Sequence, residues 1–318
     1  MSKQVKSNKF TNTIKMVWQD YSSLFALMIL VIVASIASPK FMQLNNIMNI
    51  LRQCSIIGLI SIGMAFVIIG GGIDLSAGSV LAIGGGVLVF LQSRGTNLIV
   101  AIIAGCFVTM AIGLVNGLFV TKAKLAPFIV TLAVSTIARS LIIHLANGST
   151  IIGKRDDTFS NIGNGRIGIV PVPVVIFAVI AVIAHFVLKE TKYGSYVYAV
   201  GGNEKSAQYS GINVDKVKIA TYVIMGFTIG IAALIESARL VSVSSSSSGN
   251  LYELDAITAV IIGGTSLDGG KGSVVGTVIG VLILGVISNI MNIVGISPYL
   301  TGAVKGVIIL IAVLLQKK

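Results

Sequence analysis

The stretch "GGGIDLSAGSV", residues 70–80, separates two long apolar runs. Without it, residues from about 54 to 92 would read as one continuous apolar segment. Lipid penalises a charge and a loosened backbone alike; an isolated charge at mid-bilayer costs about 2.5–3.5 kcal/mol on insertion scales. The stretch therefore reads as a break between two helices. Gly71 and Gly72 tolerate the turn. Asp74 precedes the new apolar run, so its carboxylate is expected to cap a helix starting near Leu75, accepting N–H groups left open there. Ser76 and Gly78 complete the break. It serves either as a structural interruption near one membrane face or as a gate in a transport path. One aspartate without a partner is poor evidence for an ion site, so the structural role leads.

The rest of the chain supports a membrane setting. Of 318 residues, 55% are hydrophobic and 11% charged, against about 25% charged in soluble domains. The expected class is an all-α polytopic membrane protein forming one transmembrane domain over residues 1–318. About ten segments are predicted, some short or broken: 22–38, 54–70, 76–92, 98–121, 126–146, 171–188, 218–240, 254–266, 273–293 and 299–315. The eighth is short for a bilayer and reads as half a helix or a re-entrant element. The runs do not alternate apolar and polar, which argues against an outer-membrane barrel.

The net charge of +12 reads as membrane orientation rather than nucleic-acid binding. Lys3, Lys6, Lys9, Lys15, Lys122, Lys124, Lys189, Lys192, Lys205, Lys216, Lys218, Lys271, Lys317 and Lys318 fall on one side if ten segments cross. This predicts both termini in the cytoplasm, a cytoplasmic N-terminus over 1–20, a cytoplasmic loop over 189–217 and an external loop over 147–170. An even count is favoured, with eight the alternative to ten. The Ser-rich external stretch "VSVSSSSSGNLYELD", residues 241–255, reads as flexible linker.

Catalytic constellations are not expected. "GSTIIGKR", residues 148–155, resembles a phosphate loop, but Arg155 stands where a magnesium-binding hydroxyl belongs. His144 and His185 are isolated, and Cys54 and Cys106 lie in apolar segments without metal-ligand spacing. No metal or cofactor is expected on this chain.

A second glycine-rich stretch, "ELDAITAVIIGGTSLDGGKGSVVGTVIG" (253–280), echoes the first: GGIDLSAGSV against GGTSLDGGKGSV. Weak internal similarity of this kind occurs in transporters built from repeats, with chance the alternative. Gly263, Gly264, Asp268, Gly269 and Gly270 form the second candidate break or gate. Gly276 and Gly280 permit close helix approach. Asn46, Asn49 and Gln53 recur on one helical face before the second segment, as do Asn289 and Asn292 in the ninth. Such faces line a path for a hydroxylated solute or bond helix to helix. Glu236 and Arg239, spaced i, i+3, are placed to pair.

The loop "YAVGGNEKSAQYSGINVDKVKI", residues 198–219, carries explicit helix signals. Asn203 suits an N-cap, Glu204 follows in the first turn, and Gly211 suits a left-handed stop. A two-turn helix over 204–210 is predicted. It is too short to be stable alone in water, so something should pack on it.

The motifs "GGIDLSAGSVLA", "GGNEKSAQYSGINVDKVKI", "YELDAITAVIIGGTSLDGGKGSVVGTVIGVLILG" and "NNIMNILRQCSIIGLISIGM" together resemble the membrane subunit of bacterial ATP-binding-cassette sugar importers of the ribose-permease type. The resemblance is colinear over nearly the whole chain. It implies the type II-like importer fold and a bacterial inner-membrane protein working as a pair of identical copies in the family pattern. It also implies a periplasmic or lipid-anchored binding protein that delivers a sugar. A cytoplasmic ATPase would bind the ATP and Mg. In that pattern Asn203, Glu204, Lys205, Ser206, Ala207, Gln208, Tyr209, Ser210 and Gly211 match the coupling helix that docks on the ATPase. The chain departs from the ribose pattern at Tyr209 and in the serine run 242–250, which leaves the solute open. Two rivals stand beside this reading: an ion-coupled secondary transporter with Asp74 as its ion site, and a non-transporting membrane scaffold.

Overall fold

The computed structural model describes residues 23–297, 300, 302–307 and 310. The expected cytoplasmic N-terminus, and most of the segment expected over 299–315, lie outside the described residues.

Helices dominate. In chain order they are α1 (Ser23–Ala37), α2 (Leu44–Ile69), α3 (Ala77–Ser93), α4 (Leu98–Thr121), α5 (Pro127–Leu145) and α6 (Asp157–Asn164). They continue with α7 (Val172–Glu190), α8 (Lys192–Gly202), α9 (Glu204–Tyr209), α10 (Val214–Leu240), α11 (Tyr252–Ile262) and α12 (Val274–Val294). Among the described residues, six of these are long and apolar enough to cross a membrane: α2, α4, α5, α7, α10 and α12. Helices α1 and α3 are apolar but shorter. Helix α11 has 11 residues, about 16 Å at 1.5 Å per residue, half a bilayer crossing.

Local chemistry sets the ends. Asn97 accepts from Ile99 N at 2.9 Å ahead of α4, and Asp156 accepts from Thr158 N at 2.8 Å ahead of α6. Helix α5 opens on Pro127, where a missing N–H does no harm.

Helices α2 and α10 form the centre. The apolar window of α2 is 83% buried, whereas those of α4, α5 and α7 are 22% buried and turn outward. Phe107, Val182 and Phe186 project from that outer ring, as lipid-facing residues do. Helix α4 crosses α10 closely because glycines meet backbone there. A methyl on Gly113 would strike the Tyr222 carbonyl, and one on Gly226 the Thr109 carbonyl.

One end of the bundle carries two small antiparallel sheets. β1 (Thr150–Ile152) pairs with β4 (Ser242–Ser244), with Ile151 opposite Val243. β2 (Arg166–Ile167) pairs with β3 (Val170–Pro171). The other end carries α8 and α9.

Several expectations change. Helix α2 begins at Leu44, ten residues before the expected start, so Asn46, Asn49 and Gln53 lie within it. Asp74 does not cap a helix from Leu75; α3 starts at Ala77, and the Asp74 carboxylate accepts from Ser76 N at 2.8 Å and from the Ser76 hydroxyl. The aspartate closes a local turn two residues long, which satisfies it before the helix begins. The serine run is not a linker. After β4 it folds back among the helices: Ser245 and Ser248 are buried, the Ser245 hydroxyl donates to Ser149 O at 2.8 Å, and Arg139 Nη1 donates to Ser245 O at 3.0 Å. Helix α8, within the loop expected over 189–217, was not anticipated. Glu236 and Arg239 do not form an ion pair within 4 Å; those among the described residues are Lys122–Asp215, Lys218–Glu204 and Lys305–Asp255.

Candidate functional site

The two glycine-rich breaks have the same backbone. After α2, Gly71 N bonds Ile68 O at 2.9 Å and Gly72 N bonds Val67 O at 2.8 Å. After α11, Gly264 N bonds Ile261 O at 2.9 Å and Thr265 N bonds Val260 O at 3.1 Å. Both are Schellman stops, with Gly71 at φ +80 and Gly264 at φ +89. The sequence echo is thus a structural one, offset so that Gly70 matches Gly263.

The breaks also meet. Gly270 N donates to Ile69 O at 2.9 Å. The C-terminal turn of α8 fits between them: a methyl on Gly201 would collide with Ile69 O, and one on Gly269 or Gly270 would crowd Gly201 and Gly202. A tyrosine hydroxyl serves each break. Tyr222 Oη donates to Ile73 O at 3.2 Å, and Tyr198 Oη to Gly272 O at 2.8 Å. Burial pushes the Tyr198 phenol above its ordinary pKa, which keeps that donor protonated. Asp268 is exposed at the edge of the second break. Gly78, in the first turn of α3, lies against Gly249 of the serine turn instead. Beneath the first break, Asn116 Nδ2 donates to Ser76 Oγ at 3.0 Å, and Ser76 donates to Asp74, all three buried.

From this junction the chain runs directly into α9. Asn203 accepts from Ser206 N at 2.9 Å, and Gly211 follows at φ +82. Ala207 is the buried residue of α9 and anchors it; Glu204, Lys205, Ser206, Gln208 and Ser210 are exposed, and Tyr209 is 89% exposed. Glu204 pairs with Lys218 at the base of α10. A cavity of about 990 Å³ separates α9 from the α4–α5 connection, with Lys124, Gln208 and Asp215 on its walls.

The amide face divides. Asn46 Nδ2 donates to Asn289 Oδ1 at 3.0 Å and Asn289 Nδ2 to Asn46 Oδ1 at 2.8 Å, a reciprocal clasp of α2 to α12. Gln53 and Asn292 instead line a cavity of about 270 Å³ at the sheet end. Asn49 is exposed. Lys305, an ionisable residue within an apolar segment of the sequence, also lines this cavity, and sequence reasoning missed Tyr252 and Asp255 beside it. The signal for Asp255 was a charge inside an apolar segment, which only tertiary placement groups with Lys305.

A polytopic bundle with paired helix breaks feeding an exposed two-turn helix defines a transport-system membrane component. The family described as the permease component of branched-chain amino acid transport systems matches residues 46–313, and the chain belongs to that family. It is 44% identical to the ribose import permease protein of Bacillus subtilis (strain 168), covering 95% of this chain and 94% of that one. It is 43% identical to the ribose import permease protein of Escherichia coli (strain K12), over 94% of each. Identity to the D-allose transport system permease protein of Escherichia coli (strain K12) is 37%, over 94% of this chain and 92% of that one. No solved structure matches the chain.

Proposed function

We propose that this chain is the membrane permease subunit of an ATP-binding-cassette importer that moves ribose or a related monosaccharide across the bacterial inner membrane. The observation that carries the reading is the exposure of α9 on a junction that holds both helix breaks. A short helix anchored by one residue, Ala207, presents the rest of its surface to a partner. The partner is a cytoplasmic ATPase that holds the ATP and Mg, and its closure pulls on α9. Because Asn203 alone separates α8 from α9, that pull reaches Ile69 and Gly270 together, biasing outward-open against inward-open arrangements.

The α9 end is then cytoplasmic and the sheet end external, facing a binding protein that delivers the sugar. Ten crossings, with both termini inside, complete this topology: α1, α3, α11 and the segment near 299–315 join the six long helices. Two copies of the chain form the pathway. Similarity to ribose and D-allose permeases supports a monosaccharide as cargo. The family match favours this reading over an ion-coupled transporter built on Asp74.

Replacing the six residues of α9 by a Gly/Ser linker of equal length tests the docking role. The expected result is normal membrane insertion with loss of the co-purifying ATPase. Retention of the ATPase by the linker variant contradicts it.

A further inference from the structure

The sheet end holds a second polar constellation. A cavity of about 380 Å³ is walled by Glu236, Arg239, Tyr252 and the hydroxyls of Ser244 and Ser248. It meets the 270 Å³ cavity at Ile56, Arg239 and Tyr252. Small-molecule sites occupy about 300–1,000 Å³.

Glu236 is the unusual member. It is 5% exposed, yet its Oε2 atom aims at no hydrogen-bond partner. Its carboxyl interacts with the hydroxyls of Ser248 and Tyr252, with Arg239 and Arg139 near but not in ion-pair contact, which leaves Oε2 as the open atom. An unpartnered buried carboxylate oxygen is costly, and a native structure keeps one where something else satisfies it. Further along, Asp255 is already neutralised by Lys305 at 2.7 Å.

We propose that Glu236, Arg239, Tyr252 and the buried serine turn form a transient binding station for the sugar at the outer end of the pathway. The carboxylate accepts two hydroxyls of a polyol, Arg239 donates to ring or hydroxyl oxygen, and the Tyr252 hydroxyl, beside that carboxylate, supplies a further hydrogen bond to the solute. Arg139 lies within electrostatic reach of the same carboxylate and Arg52 of Arg239, and this mix of acceptor, cationic donors and hydroxyls suits a polyhydroxylated solute. The serine turn, tucked in beside Gly78 of α3, makes one wall of the station move with the first helix break. This deepens the sugar-importer reading and rests on it.

The test uses the complete importer, with ATPase and binding protein, in proteoliposomes, comparing wild type, Glu236→Gln and Tyr252→Phe. Labelled ribose uptake, its competition by 2-deoxyribose, and ATP hydrolysis stimulated by the binding protein are measured together. Losing a hydrogen bond to a charged group lowers the maximal uptake rate about tenfold or more in Glu236→Gln. Stimulated ATP hydrolysis stays near wild type, and the preference for ribose over 2-deoxyribose shifts. Uptake rate and preference both equal to wild type overturn the station alone. If Glu236→Gln fails to accumulate in the membrane, Tyr252→Phe decides by the same readings: unchanged uptake and preference overturn the station. No ribose, allose or xylose uptake by the wild-type assembly overturns the sugar-importer reading itself and the station with it.

Discussion

The N–H of Gly270 donates to the carbonyl of Ile69 at 2.9 Å, joining the ends of two helix breaks that lie almost two hundred residues apart in the chain. Gly201 sits against the same carbonyl, so the last turn of α8 completes a three-way junction immediately before α9. Motion imposed on α9 therefore has a short backbone route to both breaks.

Gly201→Ala places a methyl on the Ile69 carbonyl and within 2.7 Å of Gly270 N. Overpacking of this kind costs about 1–3 kcal/mol. The purified subunit should lose several degrees in Tm. Gly202→Ala meets nothing within 4 Å and should stay within about 0.5 kcal/mol of wild type. Equal Tm values for the two variants contradict the junction.

Tyr209, 89% exposed, contributes little to the isolated subunit. Tyr209→Ala should leave its stability unchanged within about 0.5 kcal/mol. Interface hot spots are enriched in tyrosine, and truncating one weakens binding by about 2 kcal/mol, about thirtyfold. Titration of the ATPase onto the reconstituted permease reads this directly; unchanged affinity removes Tyr209 from the docking surface.

The Asn46–Asn289 clasp is testable by a double-mutant cycle with leucine at each position. Interhelical polar pairs in membranes couple by about 0.5–2 kcal/mol. Strictly additive unfolding free energies would show that the two amides do not act as a pair.

Asp74→Asn keeps an oxygen acceptor for Ser76, so uptake should remain within about threefold of wild type and indifferent to an uncoupler. Asp74→Leu leaves the Ser76 N–H and hydroxyl without their acceptor in a buried site and should lower subunit stability by about 1–3 kcal/mol. Abolition of uptake by Asp74→Asn, with folding intact, is the outcome an ion site requires.

The apolar runs and glycine breaks were legible because lipid leaves few other ways to arrange such residues. The short helix before Gly211 was legible because its cap and its stop are both local. Partners distant in sequence were not. The first ten residues of α2 carry Asn46 and Asn49, which argue against a helix in lipid until Asn289 supplies the matching amide. The serine run has no apolar pattern; its order comes from Ser149 and Arg139. Helix α8, KYGSYVYAVGG, holds three glycines, two of which end it against the breaks, so propensity obscured it. Asp74 was correctly placed in a break, but its acceptor serves a turn rather than a helix end.

The central claim is that transport is driven from outside this chain, through α9. The direct measurement is sugar accumulation in proteoliposomes containing the permease alone, or the permease with ATPase, binding protein and ATP. Accumulation against a gradient should occur only in the complete assembly and vanish without ATP. Accumulation by the permease alone, driven by a proton or sodium gradient, would contradict the account.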